Sequence, residues 1–217
     1  MKCKTLIFDL DGTLLNTICD LAAAVNHALS AHGYPTHTEA AVVRMVGNGV
    51  ANLVARALPD GEENPDFPRV FAEFRRYYEE HKADATAPYE GITEMLSRLH
   101  AAGFSIGIVS NKLDSAVKAL AARFFRDTIR VAIGEREGVA RKPAPDAVAA
   151  ALSEMGTTAE GAVYIGDSDV DIDTARNAGI PCLSVGWGFR TAEELLAHGA
   201  ERVFMTPAQL CDFLLGK

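Results

Sequence analysis

Residues 6–13 read Leu6-Ile7-Phe8-Asp9-Leu10-Asp11-Gly12-Thr13, a short apolar run that ends in two aspartates and a glycine. In an extended segment side chains alternate, so Asp9 and Asp11 project to one side while Leu10 points to the other. Two carboxylates at the end of a buried strand are unfavourable without a cation or a shared proton. Gly12 permits a tight turn directly after them. The pattern favours a divalent metal and a carboxylate nucleophile, and two solvated acids in a turn are the alternative interpretation.

Composition restricts the class of protein. The chain has 217 residues, of which 48% are hydrophobic, enough for one sizeable core with or without a small appendage. Its net charge of −8 argues against a nucleic-acid partner or an anionic membrane, which would require a basic face. A small phosphorylated substrate stays compatible with this charge, because distant charges are screened.

Targeting signals are absent from the pattern of the sequence. Its apolar runs are shorter than a membrane span, and Met1-Lys2-Cys3-Lys4-Thr5 leads directly into a strand without a signal-peptide pattern. We therefore expect a cytoplasmic protein. The sequence leaves both a monomer and a homodimer open.

Short apolar runs alternate with amphipathic helical stretches over most of the chain. The predicted strands are Thr5 to Phe8, Phe104 to Val109, Val131 to Ile133, Ala162 to Ile165, Pro181 to Val185 and Val203 to Met205. Such alternation predicts an α/β fold with a Rossmann-like parallel sheet, covered by helices on both faces. We also expect Asp114 to be the N-cap of the helix that follows the second strand.

One region breaks the alternation. Residues 16–82 show successive helical patterns and no convincing strand, which predicts an all-helical domain inserted into a core of residues 1–15 and 83–217. A helical lid placed directly after the first strand can admit substrate and then exclude water. Its loop Gly47-Asn48-Gly49 has the flexibility and donors to contact a substrate, and an ordinary interhelical turn is an equally good interpretation.

Polar side chains follow several predicted strands. Asp9 and Asp11 come first, then Ser110 and Asn111, then Asp167 with Asp169 and Asp171 close behind, while Lys142 precedes a rigid Pro-Ala-Pro segment. Because the carboxyl ends of parallel strands meet at one edge of the sheet, we expect these groups to converge there.

This order of motifs resembles the haloacid dehalogenase superfamily along nearly the whole chain. The matching segments are Asp9-Leu10-Asp11-Gly12-Thr13-Leu14, Val109-Ser110-Asn111, Arg141-Lys142-Pro143-Ala144-Pro145 and Gly166-Asp167-Ser168-Asp169-Val170-Asp171. The helical insertion resembles the cap of that family. Within it, Val46-Gly47-Asn48-Gly49-Val50 is similar to the cap of bacterial phosphoglycolate phosphatases.

The resemblance implies a Mg²⁺-dependent phosphatase that forms an aspartyl-phosphate. Asp9 would be the nucleophile, and Asp11 would protonate the leaving alkoxide and then activate water. Asp9, the backbone carbonyl of Asp11 and Asp167 would bind Mg²⁺. Ser110 and Lys142 would hold the phosphoryl oxygens.

Two further residues of these motifs would support the site. Asn111 would lie around it without touching the metal. We expect Asp171 either to lie near the metal without binding it directly or to orient Lys142.

Other chemistries of the superfamily fit the sequence less well. A dehalogenase has no need of Asp11, and phosphonate-cleaving relatives need a cap lysine, whereas residues 14–81 contain none. Phosphomutase relatives place a histidine in the first cap helix, where this chain has Cys19, Asp20 and Leu21. A catalytically silent binding protein on the same fold is the alternative from another class.

The resemblance of the cap makes 2-phosphoglycolate the leading substrate. Another sugar phosphate, a nucleotide or pyrophosphate stays open. On charge and position, Arg44, Asn48 and Arg190 are candidate contacts to the substrate carboxylate, and Gly47 and Gly49 flank Asn48.

Overall fold

The structure is a computed structural model that describes residues 4–217. These residues form two compact units. One comprises the chain up to Leu15 together with Pro88–Lys217, and the other comprises Asn16–Ala87.

The first unit is built on a sheet of six parallel strands in the order β5-β4-β1-β6-β7-β8. The strands of the chain are β1 (Thr5–Phe8), β2 (Leu15–Asn16), β3 (Ala87–Pro88), β4 (Ser105–Leu113), β5 (Val131–Glu135), β6 (Ala162–Gly166), β7 (Cys182–Val185) and β8 (Val203–Phe204). The short strands β2 and β3 form a separate two-stranded sheet. Every residue of β1 is buried, as expected for a central strand of a parallel sheet with both faces covered.

Helices connect the strands of the six-stranded sheet. The helices of the chain are α1 (Ile18–Ala31), α2 (Glu39–Met45), α3 (Val50–Ala57), α4 (Phe67–His81), α5 (Ile92–Ala101), α6 (Asp114–Phe124), α7 (Asp146–Glu154), α8 (Asp169–Asn177), α9 (Ala192–Ala197) and α10 (Pro207–Leu214). Within the described residues 4–217, no helix is both long and apolar enough to span a membrane.

The second unit contains α1 to α4 and a 3₁₀ turn, Gly61–Glu63. Its helices α1 and α4 pack against each other, with Phe74 and Tyr78 of α4 fully buried. Asp20, in the first turn of α1, is also buried, and its carboxylate accepts hydrogen bonds from the backbone N–H groups of Ala85 and Thr86. Asp20 therefore links the C-terminal end of this unit to its first helix.

Two local expectations are wrong. Strand β4 continues through Leu113 instead of ending at Val109, with an irregular register against β5 between those residues. Asp114 is not an N-cap but the first residue of α6. Its carboxylate instead accepts hydrogen bonds from the backbone N–H of Gly134 in β5 and from Lys118 Nζ.

Candidate active site

Three neighbouring strands bring the predicted acids and the hydroxyl together. In the central register Phe8 of β1 pairs with Ile108 of β4 and with Ile165 of β6. Asp9, Ser110 and Asp167 follow these positions closely in sequence, and all three are buried. The alignment of the strand ends therefore places the residues of three predicted motifs at one edge of the sheet.

The Lys142 ammonium lies among acids. Its Nζ is 2.7 Å from Asp171 Oδ1, 3.0 Å from Asp9 Oδ1 and 3.0 Å from the hydroxyl of Tyr164. Burial by itself would lower the pKa of Lys142, but the carboxylates of Asp171 and Asp9 raise it well above its usual value. The lysine is therefore a fixed positive charge directly beside Asp9.

Asn111 positions the same lysine through its backbone. Its side-chain N–H donates to the carbonyl of Lys142 at 3.0 Å, and its side-chain oxygen accepts from the N–H of Lys142 at 2.8 Å. This pair of hydrogen bonds joins the segment that carries Lys142 to the end of β4.

Three buried acids form a group that could hold a cation. One carboxylate oxygen each of Asp9, Asp167 and Asp171 lies within 4.8 Å of the others. Burial raises the pKa of Asp9 to about 7, against the opposing effect of Lys142. Burial, followed by the charges of Asp171 and Asp9, raises the pKa of Asp167 to about 8. Ionisation of these buried acids is therefore unfavourable without a compensating cation, and a hard divalent cation with oxygen ligands suits them.

The three acids differ in the groups that already hold them. Asp171 accepts from Lys142 through Oδ1, and from the N–H and hydroxyl of Ser168 through Oδ2 at 3.0 and 2.6 Å. Asp167 accepts from the Thr13 hydroxyl and from the backbone N–H of Phe189, each at 2.8 Å. Because the Asp171 carboxylate is engaged by an ammonium and two donors, Asp9 and Asp167 are the better metal ligands.

The loop after β7 packs directly onto this site. Trp187 Nε1 donates to the carbonyl of Thr13 at 2.9 Å, beside the contact of Phe189 with Asp167. A Cβ added at Gly188 would lie closer than 3.0 Å to the carbonyl oxygen of Gly12 and to the Asp167 side chain. Glycine is therefore the residue that allows this loop to reach Asp167.

Several of these residues were not predicted from the sequence. Lys112 is buried, and its Nζ lies 2.7 Å from Asp11 Oδ1. Alternation along β4 could have indicated it, because Lys112 follows Ser110 by two positions and therefore projects to the same side. Tyr164 carried no signal, since a tyrosine in an apolar strand is common.

The candidate substrate contacts are divided between the two units. Arg44, Gly47, Asn48 and Gly49 belong to the second unit, where Asn48 Oδ1 accepts a hydrogen bond from Arg56 at 2.6 Å. Arg190 belongs to the first unit and its Nε lies 3.6 Å from Asp169 Oδ1. Contact of these residues with a substrate stays a prediction.

Comparison with known proteins gives consistent matches. The family model for haloacid dehalogenase-like hydrolases matches residues 6–185. An N-acetylmuramic acid 6-phosphate phosphatase of Pseudomonas aeruginosa is 32% identical over 99% of this chain and 96% of its own. A phosphoglycolate phosphatase of Rhodospirillum rubrum is 34% identical over 97% of this chain and 90% of its own.

A solved structure confirms the fold. The crystal structure of a Lactobacillus delbrueckii protein, with an inferred phosphoglycolate phosphatase assignment, is 33% identical and superposes with a TM-score of 0.95 over 100% of both chains. The predicted α/β class, a Rossmann-like core with an inserted helical cap, is therefore confirmed, as is the resemblance carried by the four motifs. The chain belongs to the haloacid dehalogenase-like hydrolase family.

Proposed function

We propose that the chain is a Mg²⁺-dependent phosphatase that hydrolyses a small phosphomonoester through an aspartyl-phosphate on Asp9. The observation that carries this proposal is the buried Lys142 ammonium 3.0 Å from Asp9, within a group of three acids able to hold a cation. A carboxylate nucleophile can approach an anionic phosphate only where such positive charge is already in place.

The side chains of Asp9 and Asp167 and the backbone carbonyl of Asp11 would hold Mg²⁺. When bound, the ion neutralises charge on the phosphate and fixes its position relative to the nucleophile. Asp171 is the residue that orients Lys142, through the 2.7 Å ion pair.

Each side chain of the site has its own role in the hydrolysis of the phosphomonoester. An oxygen of Asp9 forms a bond to phosphorus while the bond from phosphorus to the ester oxygen breaks, and Asp11 gives its proton to the departing alkoxide. Lys142 and Ser110 hold the phosphoryl oxygens during this transfer. Asp11 then takes a proton from water as the water oxygen attacks phosphorus and the bond to Asp9 breaks. The products are an alcohol and inorganic phosphate.

Two substrates are favoured by the similarity to named proteins. Phosphoglycolate phosphatases and an N-acetylmuramic acid 6-phosphate phosphatase match this chain at nearly equal identity. Both substrates carry a carboxylate in addition to the phosphate, so a cationic contact outside the phosphate site would serve either. We propose 2-phosphoglycolate first and the amino-sugar phosphate second, with Arg44, Asn48 and Arg190 as the residues to test for the carboxylate.

The deciding experiment is phosphate release with Mg²⁺ across a panel containing both substrates, a nucleotide, pyrophosphate and carboxylate-free sugar phosphates. Asp9→Asn should abolish turnover and the covalent phosphoryl adduct seen by mass spectrometry. Asp173→Asn is the matched control, because Asp173 is a partly exposed acid paired with Arg176. Hydrolysis that survives Asp9→Asn, or no hydrolysis of any phosphorylated metabolite, would refute the proposed function and favour a silent binding protein.

A further inference from the structure

Lys112 is a buried lysine that the proposed chemistry does not use. Its side chain is 1% exposed, and its Nζ lies 2.7 Å from Oδ1 of Asp11, whose side chain is 14% exposed. An ammonium removed from water in this way is strongly unfavourable unless an anion is held against it with good geometry. The Asp11 carboxylate is that anion.

The backbone of Lys112 is fixed on both sides. Its N–H donates to the hydroxyl of Ser110 at 3.4 Å. Its carbonyl oxygen is packed against Gly134 of β5, where an added Cβ would lie 2.5 Å from that oxygen. Lys112 also lies within the irregular part of the β4–β5 register, where the strand turns toward α6. The ammonium is therefore held by rigid surroundings and not by a mobile surface segment.

Each of the two lysines lies against a different acid of the first motif. Lys142 contacts Asp9 and Asp171, whereas Lys112 contacts Asp11. Stability alone does not account for the second pair, because well-packed apolar residues commonly replace a buried ion pair without loss of stability. The pair does restrict the rotamers of Asp11, since its oxygen must stay within reach of a fixed ammonium.

We propose that Lys112 is a positioning residue that holds the Asp11 carboxylate in place for proton transfer. The inference rests on the proposed function, because it assigns Lys112 to the acid–base group of that reaction. Lys112 acts through Asp11 and has no contact of its own with the phosphoryl group in this role. Its removal should therefore impair the steps that need Asp11 and spare the attack by Asp9.

The test uses p-nitrophenyl phosphate, whose leaving group departs without protonation. With this substrate the release of nitrophenol from the first turnover needs Asp9 but not Asp11, whereas hydrolysis of the aspartyl-phosphate needs Asp11. We compare wild type, Lys112→Met, Asp11→Asn and the double variant by rapid mixing with Mg²⁺. Thermal unfolding reports whether each is folded, and Lys112→Gln replaces Lys112→Met if the latter does not fold.

We expect Lys112→Met to release the first equivalent of nitrophenolate at the wild-type rate and to lower the steady-state rate on the order of 10- to 100-fold, as a misplaced catalytic group does. In the Asp11→Asn background the substitution should cause no further loss, because both changes act on one group. Lys118→Met is the control, since Lys118 is an exposed lysine of the adjacent helix α6 paired with Asp114. It should behave as wild type.

The unfavourable outcomes are separable. A wild type without hydrolysis that depends on Asp9 would refute the proposed function, and this inference with it. An active wild type whose rate survives Lys112→Met would overturn the inference alone. So would a slower first turnover in a folded Lys112 variant, or losses that multiply in the double variant, because either places Lys112 outside the action of Asp11.

Discussion

Gly188 offers a test of the site that changes no functional side chain. It lies in the loop after β7, between Trp187 and Phe189. The Trp187 side chain donates a hydrogen bond to the Thr13 carbonyl, and the Phe189 backbone N–H donates one to Asp167. In Gly188→Ala the new Cβ would fall closer than 3.0 Å to the Gly12 carbonyl and to Asp167. Real Cβ atoms essentially never approach other atoms so closely, so one of these groups must move.

The size of the effect follows from that distance. Ordinary contact begins near 3.4 Å, so relief requires a displacement of about 1 Å by the loop, by Gly12 or by Asp167. Overpacking of this kind costs about 1–3 kcal/mol of stability. A misplacement of about 1 Å at a reacting centre reduces turnover by roughly 100-fold. Because Asp167 is a proposed ligand, the affinity for Mg²⁺ should fall together with kcat.

Gly186→Ala is the matched control from the same loop. Its Cβ would meet the Met205 sulfur at 2.9 Å and a Val203 methyl at 3.0 Å, and the flexible methionine can move away. Both variants are compared by calorimetric titration with Mg²⁺, steady-state kinetics and thermal unfolding. If Gly188→Ala retained wild-type Mg²⁺ affinity and kcat, or if Gly186→Ala were equally impaired, the role given to this loop would be wrong.

Three further predictions concern charge, positioning and the helical unit. The pKa values of Asp9 and Asp167 are raised from 3.8 to about 7 and about 8 in the folded chain. Between pH 3.8 and about 8 these two carboxyl groups therefore lose their protons more readily in the unfolded chain than in the folded one. The free energy of metal-free unfolding in urea should therefore fall over that range, and Mg²⁺ should reverse the fall; an increase with pH would contradict the raised pKa values. Tyr164→Phe removes the hydroxyl that accepts from Lys142, so kcat should drop about tenfold with little change in KM, and an unchanged kcat would show that Lys142 needs no such support. Asp20→Ala leaves two backbone N–H groups of the helical unit without their acceptor, which should cost about 2 kcal/mol in chemical denaturation and leave kcat intact, whereas a loss of turnover at full stability would contradict this purely structural role.

The sequence predicted the sheet and the convergence of its motifs because both depend on simple periodicity. Short apolar runs are typical of buried parallel strands, and polar residues at their ends must meet at one edge. The same reasoning failed for Asp114, where an acid at the start of a helix has two possible partners. Its carboxylate binds Gly134 of the neighbouring strand, a partner that only the folded chain brings near.

The supports of the site were harder to predict, for a physical reason. The donor to Asp167 Oδ2 is the backbone N–H of Phe189, and any residue except proline provides such a group. Lys112 could be read as an exposed lysine, which is the usual environment of that residue. The Lys112 ammonium can be buried only because Asp11 is its partner. Asp11 is 101 residues away in the chain, so the sequence around Lys112 does not indicate this pair.

The balance of charge explains why the site suits a cation and a phosphate together. Lys142 and Lys112 neutralise charge beside Asp9 and Asp11, respectively. Asp167 instead receives neutral donors, the Thr13 hydroxyl and the Phe189 N–H, which orient a carboxylate but leave its charge in place. Asp167 is therefore the acid whose ionised form most needs a metal ion, whereas Asp9 already has the ammonium of Lys142 beside it. In the proposed function, Asp9 and Asp167 would hold a divalent ion that compensates this charge, and Lys142 would supply a second positive charge beside the nucleophile Asp9.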